Sequence, residues 1–479
     1  MDAKTVAASA STPSVASTPR TPALDVRQGL DKLASYPFAI LTFVDEADYP
    51  VSVAVSAAID PAAGTARFAA PAGLTVPSGV DISLTGSHIR PQPGYGYDER
   101  RHVTVWGRAA QAGDQVTFTA ARAWGWDEAE VPFFEYSERS VGQSKRYFDA
   151  LSAERGTPVK PKLSFGWLAL RTTRLPFLSA TIVPVVLGIV IAARQGSFDL
   201  LTALLTVIGA AFVQLGLNVA NDVFDSAQGA DEANVTPTQF SGGSRVIQYG
   251  LVSFRQMAGL ATTFYVLAGA IGLLLLALRG SPALLVIGVV GFIVSLGYTA
   301  PPLKFVYRGL GEIAVALGFG PLMLLGGYVV QTRGALTWEP FVASLPVALL
   351  VALILYVNEI PDRRGDARVG KRTLPVRFSK AAVIGGYRGA AIAAYVILVA
   401  GVVVGLLPIP ALLALLSIPL ALQVSRGLEP NYDNPYGLMA VMGVNVKVHL
   451  YAGLLLLAGY AVVLILGAVA PSVSLFVGR

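Results

Sequence analysis

The sequence predicts two folds in one chain: a small soluble α+β domain, then an all-α bundle of nine membrane-spanning helices. Three observations lead there. Hydrophobic residues fill 54% of the 479 positions and charged residues only 14%, whereas a soluble domain carries roughly 25% charge. The charge is also unevenly placed. Residues 1–160 hold 15 Lys+Arg and 18 Asp+Glu, while residues 161–479 hold 21 and 12, so the whole of the +6 excess lies in the second part. That part consists of one apolar run after another, and membrane explains its basicity better than nucleic acid does. The composition excludes some chemistry outright. With Cys at 0 there is no disulfide scaffold, thiolate metal site, iron–sulfur cluster or Cys nucleophile. Three histidines, His88, His102 and His449, speak against a multi-His metal centre.

Taken in chain order, residues 1–24 are rich in Ala, Ser, Thr and Pro and are expected to be a disordered tail. They lack the long apolar stretch of a secretory signal. Residues 25–157 read as the soluble domain. A helix over Asp25–Ser35 precedes strands over Phe38–Val44, Pro50–Ala57, Thr65–Ala70, His102–Ala110 and Gln115–Ala120, and a helix over Phe133–Ala153 closes it. Residues 158–170 are the expected linker, and 171–479 the membrane domain. Its nine spans fall near 175–193, 200–220, 257–278, 282–299, 311–331, 340–357, 387–406, 408–425 and 448–469. Each is close to the ~20 residues that cross a ~30 Å hydrocarbon core.

Lys and Arg set the expected orientation. Counting the flank before the first span, 18 of them lie on the side of the even-to-odd loops and 4 on the other. The positive-inside bias places the N-terminal domain and those loops in the cytoplasm, with the C-terminus outside.

Acids are scarce in the membrane part, and seven of the 12 fall in two clusters. The first is Asp222, Asp225, Asp231 and Glu232, after the second span; the other is Glu359, Asp362 and Asp366, after the sixth. Ionisable groups at that depth are costly and mark functional sites. Asn221 and Asp225 stand at i,i+4, as do Asp362 and Asp366, so each pair shares one helix face. Two facing sets of hard oxygen donors suit Mg2+, which keeps several waters and completes its shell with substrate phosphates. The expected metal set is Asn221, Asp225, Asp231, Asn358, Asp362 and Asp366, and Asp222 joins Asp225, Asp362 and Asp366 as a catalytic candidate. Arg245, Lys304, Lys371 and Arg372 are the candidates for neutralising phosphates. A diphosphate held at a bilayer rim beside an apolar bundle points to an amphiphile, and a polyprenyl diphosphate fits.

The stretches Asn221-Asp-Val-Phe-Asp225 and Asp362-Arg-Arg-Gly-Asp366-Ala-Arg-Val-Gly-Lys-Arg-Thr373, with nine spans around them, resemble the UbiA-type membrane prenyltransferases over residues 165–479. Within that family Ser241-Gly-Gly-Ser-Arg245, the loop Tyr298–Glu312 and the run Gly370–Arg377 are similar to the dihydroxynaphthoate polyprenyltransferases. Two positions depart from the wider pattern. Gly229 stands where many members have a third aspartate, and Tyr298 and Lys304 are six residues apart where many have Tyr-x-x-x-Lys. The resemblance implies transfer of a polyprenyl group from its diphosphate to an aromatic acceptor in menaquinone synthesis, with loss of the acceptor carboxylate as carbon dioxide. It implies a multi-pass protein of a prokaryotic plasma membrane. Tyr298 and Lys304 are the expected neighbours of the acceptor or the diphosphate. Other acceptors, a phenol or a glycerolipid, stay open, as does a lipid-binding or transport protein carrying a flavin-type sensor.

Tyr36–Asp45, Tyr49–Val55 and Val105-Trp-Gly-Arg-Ala109 resemble the split β-barrel of pyridoxamine-phosphate-oxidase-like proteins. That likeness implies FMN, deazaflavin or haem as a possible cofactor and a homodimer formed through the barrel.

Overall fold

A computed structural model of the chain describes residues 23–45, 49–92, 96–234, 236–469 and 475–478. The chain forms two compact units, divided between Tyr136 and Ser137.

The first unit opens with β1 (Ala23–Leu24), which pairs with Trp124 and Ala123. Most of the expected disordered tail, residues 1–22, lies outside the described residues. Its last two residues are this strand rather than tail. Asp25 caps α1 (Val26–Ala34) through a reciprocal box with Gln28. Seven strands follow: β2 (Ala39–Val44), β3 (Pro50–Val55), β4 (Ala58–Asp60), β5 (Thr65–Ala69), β6 (Asp81–Gln92), β7 (Gly96–Ala112) and β8 (Gln115–Asp127). They form one antiparallel sheet in the order β3-β2-β6-β7-β8-β5-β4. Period-two alternation turns Ala39, Leu41 and Phe43 of β2 inward against Leu30 and Leu33 of α1 and Leu84, Val103, Val105 and Phe118.

Three features of the sheet differ from expectation. The short β4 was not expected and is held by its pairing with β5. β6 was not expected: only Ile82 and Leu84 alternate before Gly86, and the polar run beyond carries no apolar period. That run is a strand because it pairs with β7, closing on solvent-facing charges such as Arg90 and Asp98 at 2.9 Å. β7 and β8 also run several residues past their expected ends, with a bulge between Trp106 and Gly107. α2 (Phe133–Arg155) follows, its first turn in this unit and the rest, from Ser137, in the second.

In the second unit, α3 (Phe165–Thr173) is capped by Ser164, so the expected linker to residue 170 is helical from Phe165 onward. Then come α4 (Ser179–Arg194), α5 (Leu200–Ala227), the single turn α6 (Ala230–Ala233), α7 (Phe254–Arg279) and α8 (Pro282–Gly297). α9 (Gly311–Leu317) continues through a π-turn into α10 (Met323–Thr332). α11 (Trp338–Arg368), the short α12 (Leu374–Arg377), α13 (Lys380–Val403), α14 (Ile418–Asn431), which continues a 3-10 helix over Ile409–Ser417 into one 23-residue span, and α15 (Pro435–Val469) complete the bundle.

Among the described residues, seven helices are long and apolar enough to cross a membrane. The first and fourth expected spans fall on α4 and α8, apolar helices of 16 residues each. At 1.5 Å per residue these reach about 24 Å, short of a ~30 Å core. α5 and α11 are longer than expected, at 28 and 31 residues. They run through both acidic motifs, so Asp225 and Asp366 stand on helices and not in loops after them. α11 is the central helix, buried along most of its length against α13, α14 and α15 at one end and α4 and α10 at the other.

Candidate active site

The last turns of α5 present Asn218, Asn221 and Asp225 to one polar cavity. Their spacings of three and four residues keep them on one stripe of the helix. Gly229, at φ 75°, reverses the chain so that α6 brings Asp231 to the same space. From α11, Asn358, Asp362 and Asp366 line the opposite wall, each a little over one turn beyond the last.

Lys371 joins the walls. Its backbone N–H caps α11 on the Asp366 carbonyl at 2.9 Å. Its ammonium lies 3.3 Å from Asp225 and 3.6 Å from Asp366. Burial by itself favours the neutral amine, but Asp225 and Asp366 hold its pKa well above the ordinary lysine value. The Tyr307 hydroxyl donates to Asp225 at 2.8 Å. Burial, reinforced by Asp225, raises that phenol too, so it keeps its proton and acts as a donor.

The cavity holds space for about 180 Å³ of water beside these groups. Gln214, Leu217, Tyr298, Val315 and Phe319 belong both to its wall and to that of an apolar groove of about 540 Å³ between α5, α7, α8 and α10. The polar cavity therefore runs into an apolar one.

The loop Ser241–Arg245 ties the acidic motifs together. The Gly242 N–H donates to Asp362 at 3.0 Å, and the Ser244 N–H to Asp222 at 3.2 Å. Gly242 and Gly243 both stand at φ 76°, where a side chain is strained. A Cβ on Gly243 would lie 2.7 Å from a carboxylate oxygen of Asp231. Gly243→Ala is expected to lower activity about tenfold or more while the chain still folds, because the loop must shift off Asp231. Activity measured per folded molecule in membranes checks this.

The expected site residues divide as follows. The structure brings all six metal candidates to the cavity, with Tyr298 and Lys371. It does not bring Asp222, Lys304, Arg245 or Arg372 to the lining. Asp222 sits about 100° round the helix from Asn221, is 2% exposed, and is ion-paired with Arg174. Lys304 stacks over the Tyr307 ring at 5.5 Å. Arg245 is buried and engaged by Glu138 and the Asp231 carbonyl. Arg372 is exposed, and its N–H donates to the Tyr307 carbonyl at 3.0 Å. His449 is buried within α15, away from this cavity.

Three contributors were not expected: Arg174, Tyr307 and Asn234; Glu359, in the second acidic cluster but outside the expected metal set, also lines the cavity. Asn234 donates to Asp362 at 2.8 Å. Arg174 counts in the sequence only as a flanking charge, and nothing local shows that it folds back onto α5. Its guanidinium neutralises a carboxylate that has almost no access to water. Arg174→Met is expected to cost about 3–5 kcal/mol of stability by stranding Asp222, and Asp222→Asn in the same chain is expected to restore most of it. Thermal unfolding in detergent reads both.

Several oxygens around the cavity are buried without a partner among the described residues, one each on Asp231, Asn358 and Asp366, while the Glu359 carboxyl is hydrogen-bonded to that of Glu312. Burial, with Asp222 and Asp225 adding to it and Arg245 and Arg174 opposing, pushes the Asp231 carboxyl well above the usual range. Among the described residues no three carboxylates converge as a ready-made cage for a bare ion. That pattern fits a cation that takes one or two carboxylates, keeps its waters and binds with phosphate oxygens.

A helical membrane bundle whose acid-lined rim cavity opens into an apolar groove defines a protein that handles charged-headed amphiphiles. The UbiA prenyltransferase family model matches residues 181–434, a little over half of the chain, and the chain belongs to that family. It is similar to the 2-carboxy-1,4-naphthoquinone phytyltransferase of Synechocystis, 28% identical over 61% of this chain and 92% of that protein. It is also similar to the 1,4-dihydroxy-2-naphthoate octaprenyltransferase of Bacillus subtilis, 27% identical over 64% and 95%. A UbiA homologue from Archaeoglobus fulgidus, solved with GPP and Mg2+, aligns with 60% of this chain and 99% of its own at 15% identity and a TM-score of 0.45.

Proposed function

We propose that this chain transfers a polyprenyl group from its diphosphate to 1,4-dihydroxy-2-naphthoate, the acceptor in the name of its Bacillus subtilis relative. The observation that carries this is the facing pair of acidic motifs, bridged by Lys371, over a cavity continuous with an apolar groove. The wall of Asn221, Asp225 and Asp231 and the wall of Asn358, Asp362 and Asp366 would hold Mg2+ with the diphosphate, each ion taking one or two of their carboxylates and filling its shell with water and phosphate oxygens. Bound there, Mg2+ supplies positive charge against the leaving diphosphate.

The chain's own groups do the rest. Lys371 places a fixed cation beside the diphosphate and stabilises charge as the allylic C–O bond breaks and its electron pair leaves with the phosphate oxygen. The apolar groove keeps the polyprenyl tail and the allylic cation away from water. Tyr298 sits where polar and apolar walls meet, next to the reacting end of the tail. The acceptor ring forms the new C–C bond at the carbon that carried the carboxylate. Carbon dioxide then leaves, and its bonding electrons restore the aromatic ring.

We read α4 and α8 as spans with the seven longer helices, giving nine, in a prokaryotic plasma membrane with the cytoplasmic side at the Lys371 rim. We read residues 25–157, extended at the front by β1, as the soluble domain, residues 158–164 as what remains of the expected 158–170 linker before α3, and the sheet as a split barrel. A bound chromophore in the purified protein tests its flavin, deazaflavin or haem expectation, and mass in solution tests the dimer.

The test of the main reading is an assay of membranes with Mg2+, a polyprenyl diphosphate and the naphthoate. A prenylated, decarboxylated product is expected. Transfer only to a glycerolipid or a simple phenol would replace the acceptor, and uptake into vesicles without any product would replace the activity.

A further inference from the structure

We infer that Glu138 of α2 is a positioning residue for the metal wall: it holds the Arg245 guanidinium on the backbone of α6, so that the Asp231 carboxylate stays free for a cation. This rests on the diphosphate site read above.

Glu138 lies outside residues 181–434, the part of the chain that the family model matches, while Asp231, Arg245 and Tyr249 lie inside it. From Ser137 onward α2 belongs to the second unit. There one Glu138 oxygen accepts from the Arg245 guanidinium and the other accepts from the Tyr249 hydroxyl at 2.6 Å. Burial, reinforced by Glu138, pushes the Tyr249 phenol up to about 12, so it keeps its proton and stays a donor. A side chain from outside the family's part of the chain is thus fastened at two points to the loop that ties the acidic motifs together.

The Arg245 side chain is 5% exposed, and its backbone stands at φ 63°. Residues with side chains keep that conformation only where their surroundings fix it. One guanidinium nitrogen goes to Glu138 and another donates to the Asp231 carbonyl. The arginine therefore bonds the backbone of Asp231 and leaves its carboxylate, one oxygen of which is buried without a partner among the described residues. The two groups still feel each other, since Arg245 opposes the upward push of burial on the Asp231 carboxyl.

A buried guanidinium stripped of its anion is costly. With Glu138 gone, Asp231 is the carboxylate to which Arg245 turns. That pairing would neutralise one donor of the metal wall with a fixed cation. It would also pull on the loop, where the Gly242 N–H is bonded to Asp362 and the Ser244 N–H to Asp222.

The experiment uses the full chain purified in detergent, the variants Glu138→Leu and E138L/R245L, and farnesyl diphosphate as the probe. The Mg2+ concentration that gives half-maximal binding of the probe is expected to rise at least tenfold in E138L. Amide exchange over residues 241–249 is expected to quicken by a similar factor. The double variant removes the competing cation with its partner, so it is expected to need less Mg2+ than E138L. Thermal unfolding shows that each variant is folded. An unchanged Mg2+ midpoint in folded E138L overturns the inference, even where the unfolding temperature falls, because Glu138 would then only stabilise the chain. A double variant that needs as much Mg2+ as E138L overturns it too, because Arg245 would not be the competitor. Transfer to the naphthoate on the same preparations separates this inference from the proposed function. Probe binding that depends on Glu138 without any transfer removes the function and keeps the positioning role. Transfer at the wild-type Mg2+ midpoint in E138L removes the positioning role and keeps the function.

Discussion

Asp225→Asn is expected to lower prenyl transfer about a thousandfold without unfolding the protein. Asp225 is the carboxylate that ties Tyr307 and Lys371 to the cavity. It accepts from Tyr307 at 2.8 Å, pairs with Lys371 at 3.3 Å, and shares its helix stripe with Asn221. Asparagine keeps the shape and a carbonyl oxygen for Tyr307, so packing survives. It loses the charge that would draw Mg2+ to this wall. Removing one preorganised charge-stabilising group from a dry site costs about 10²–10³ in rate, and weaker metal binding adds to that. Transfer should therefore recover partly at high Mg2+. Asp362→Asn on the facing helix should behave alike, although Asn234 and Gly242 lose a charged acceptor there as well. Rates in membranes, normalised to chain amount and titrated with Mg2+, check both. Wild-type rates in either variant would place the metal elsewhere.

Lys371→Met is expected to lower transfer by about 10²–10³ and to raise the KM for the polyprenyl diphosphate. The methionine fills the stem's volume and removes the ion-pair partner that joins Asp225 to Asp366. Two carboxylates then face one cavity uncompensated, which opposes the entry of a diphosphate. Lys371→Arg should recover little, because a planar fork does not replace a compact point charge between two acids. The double variant D225N/K371M should cost far less than the sum of the two singles, since each removes the same interaction. Additive losses would mean that the two residues act separately.

Much of this was legible in the sequence. The membrane part announces itself in the apolar runs and in the Lys/Arg bias, and the acidic positions stand out because acids are so few there. Spacing alone put Asn221 with Asp225 and Asp362 with Asp366. What spacing could not give was direction around the helix. Asp222 is one residue from Asn221 and chemically equivalent to Asp225, yet that one step turns it out of the cavity and onto Arg174. Arg245 carries the right charge in the right loop, but a carboxylate from α2, more than a hundred residues away, engages it. Tertiary partners of that kind leave no local pattern.

The sheet shows the same limit. β2 was legible because Ala39, Leu41 and Phe43 alternate with outward positions. The second half of β6 was not, because its backbone is held by neighbours and its side chains are polar. Helix lengths were underestimated where they mattered most. Hydropathy fades at Asn218 and at Asn358, and the helices continue because their polar turns pack around a shared cavity rather than against lipid.

The measurement that bears most directly on the whole account uses the purified chain in lipid vesicles with a polyprenyl diphosphate, Mg2+ and carboxyl-labelled 1,4-dihydroxy-2-naphthoate. The account predicts a prenylated naphthalene diol and one equivalent of labelled carbon dioxide, both lost on chelation and both lost in D225N and in D362N. Substrate moved across the vesicle with no new C–C bond would contradict it, as would a product that survives chelation and both substitutions.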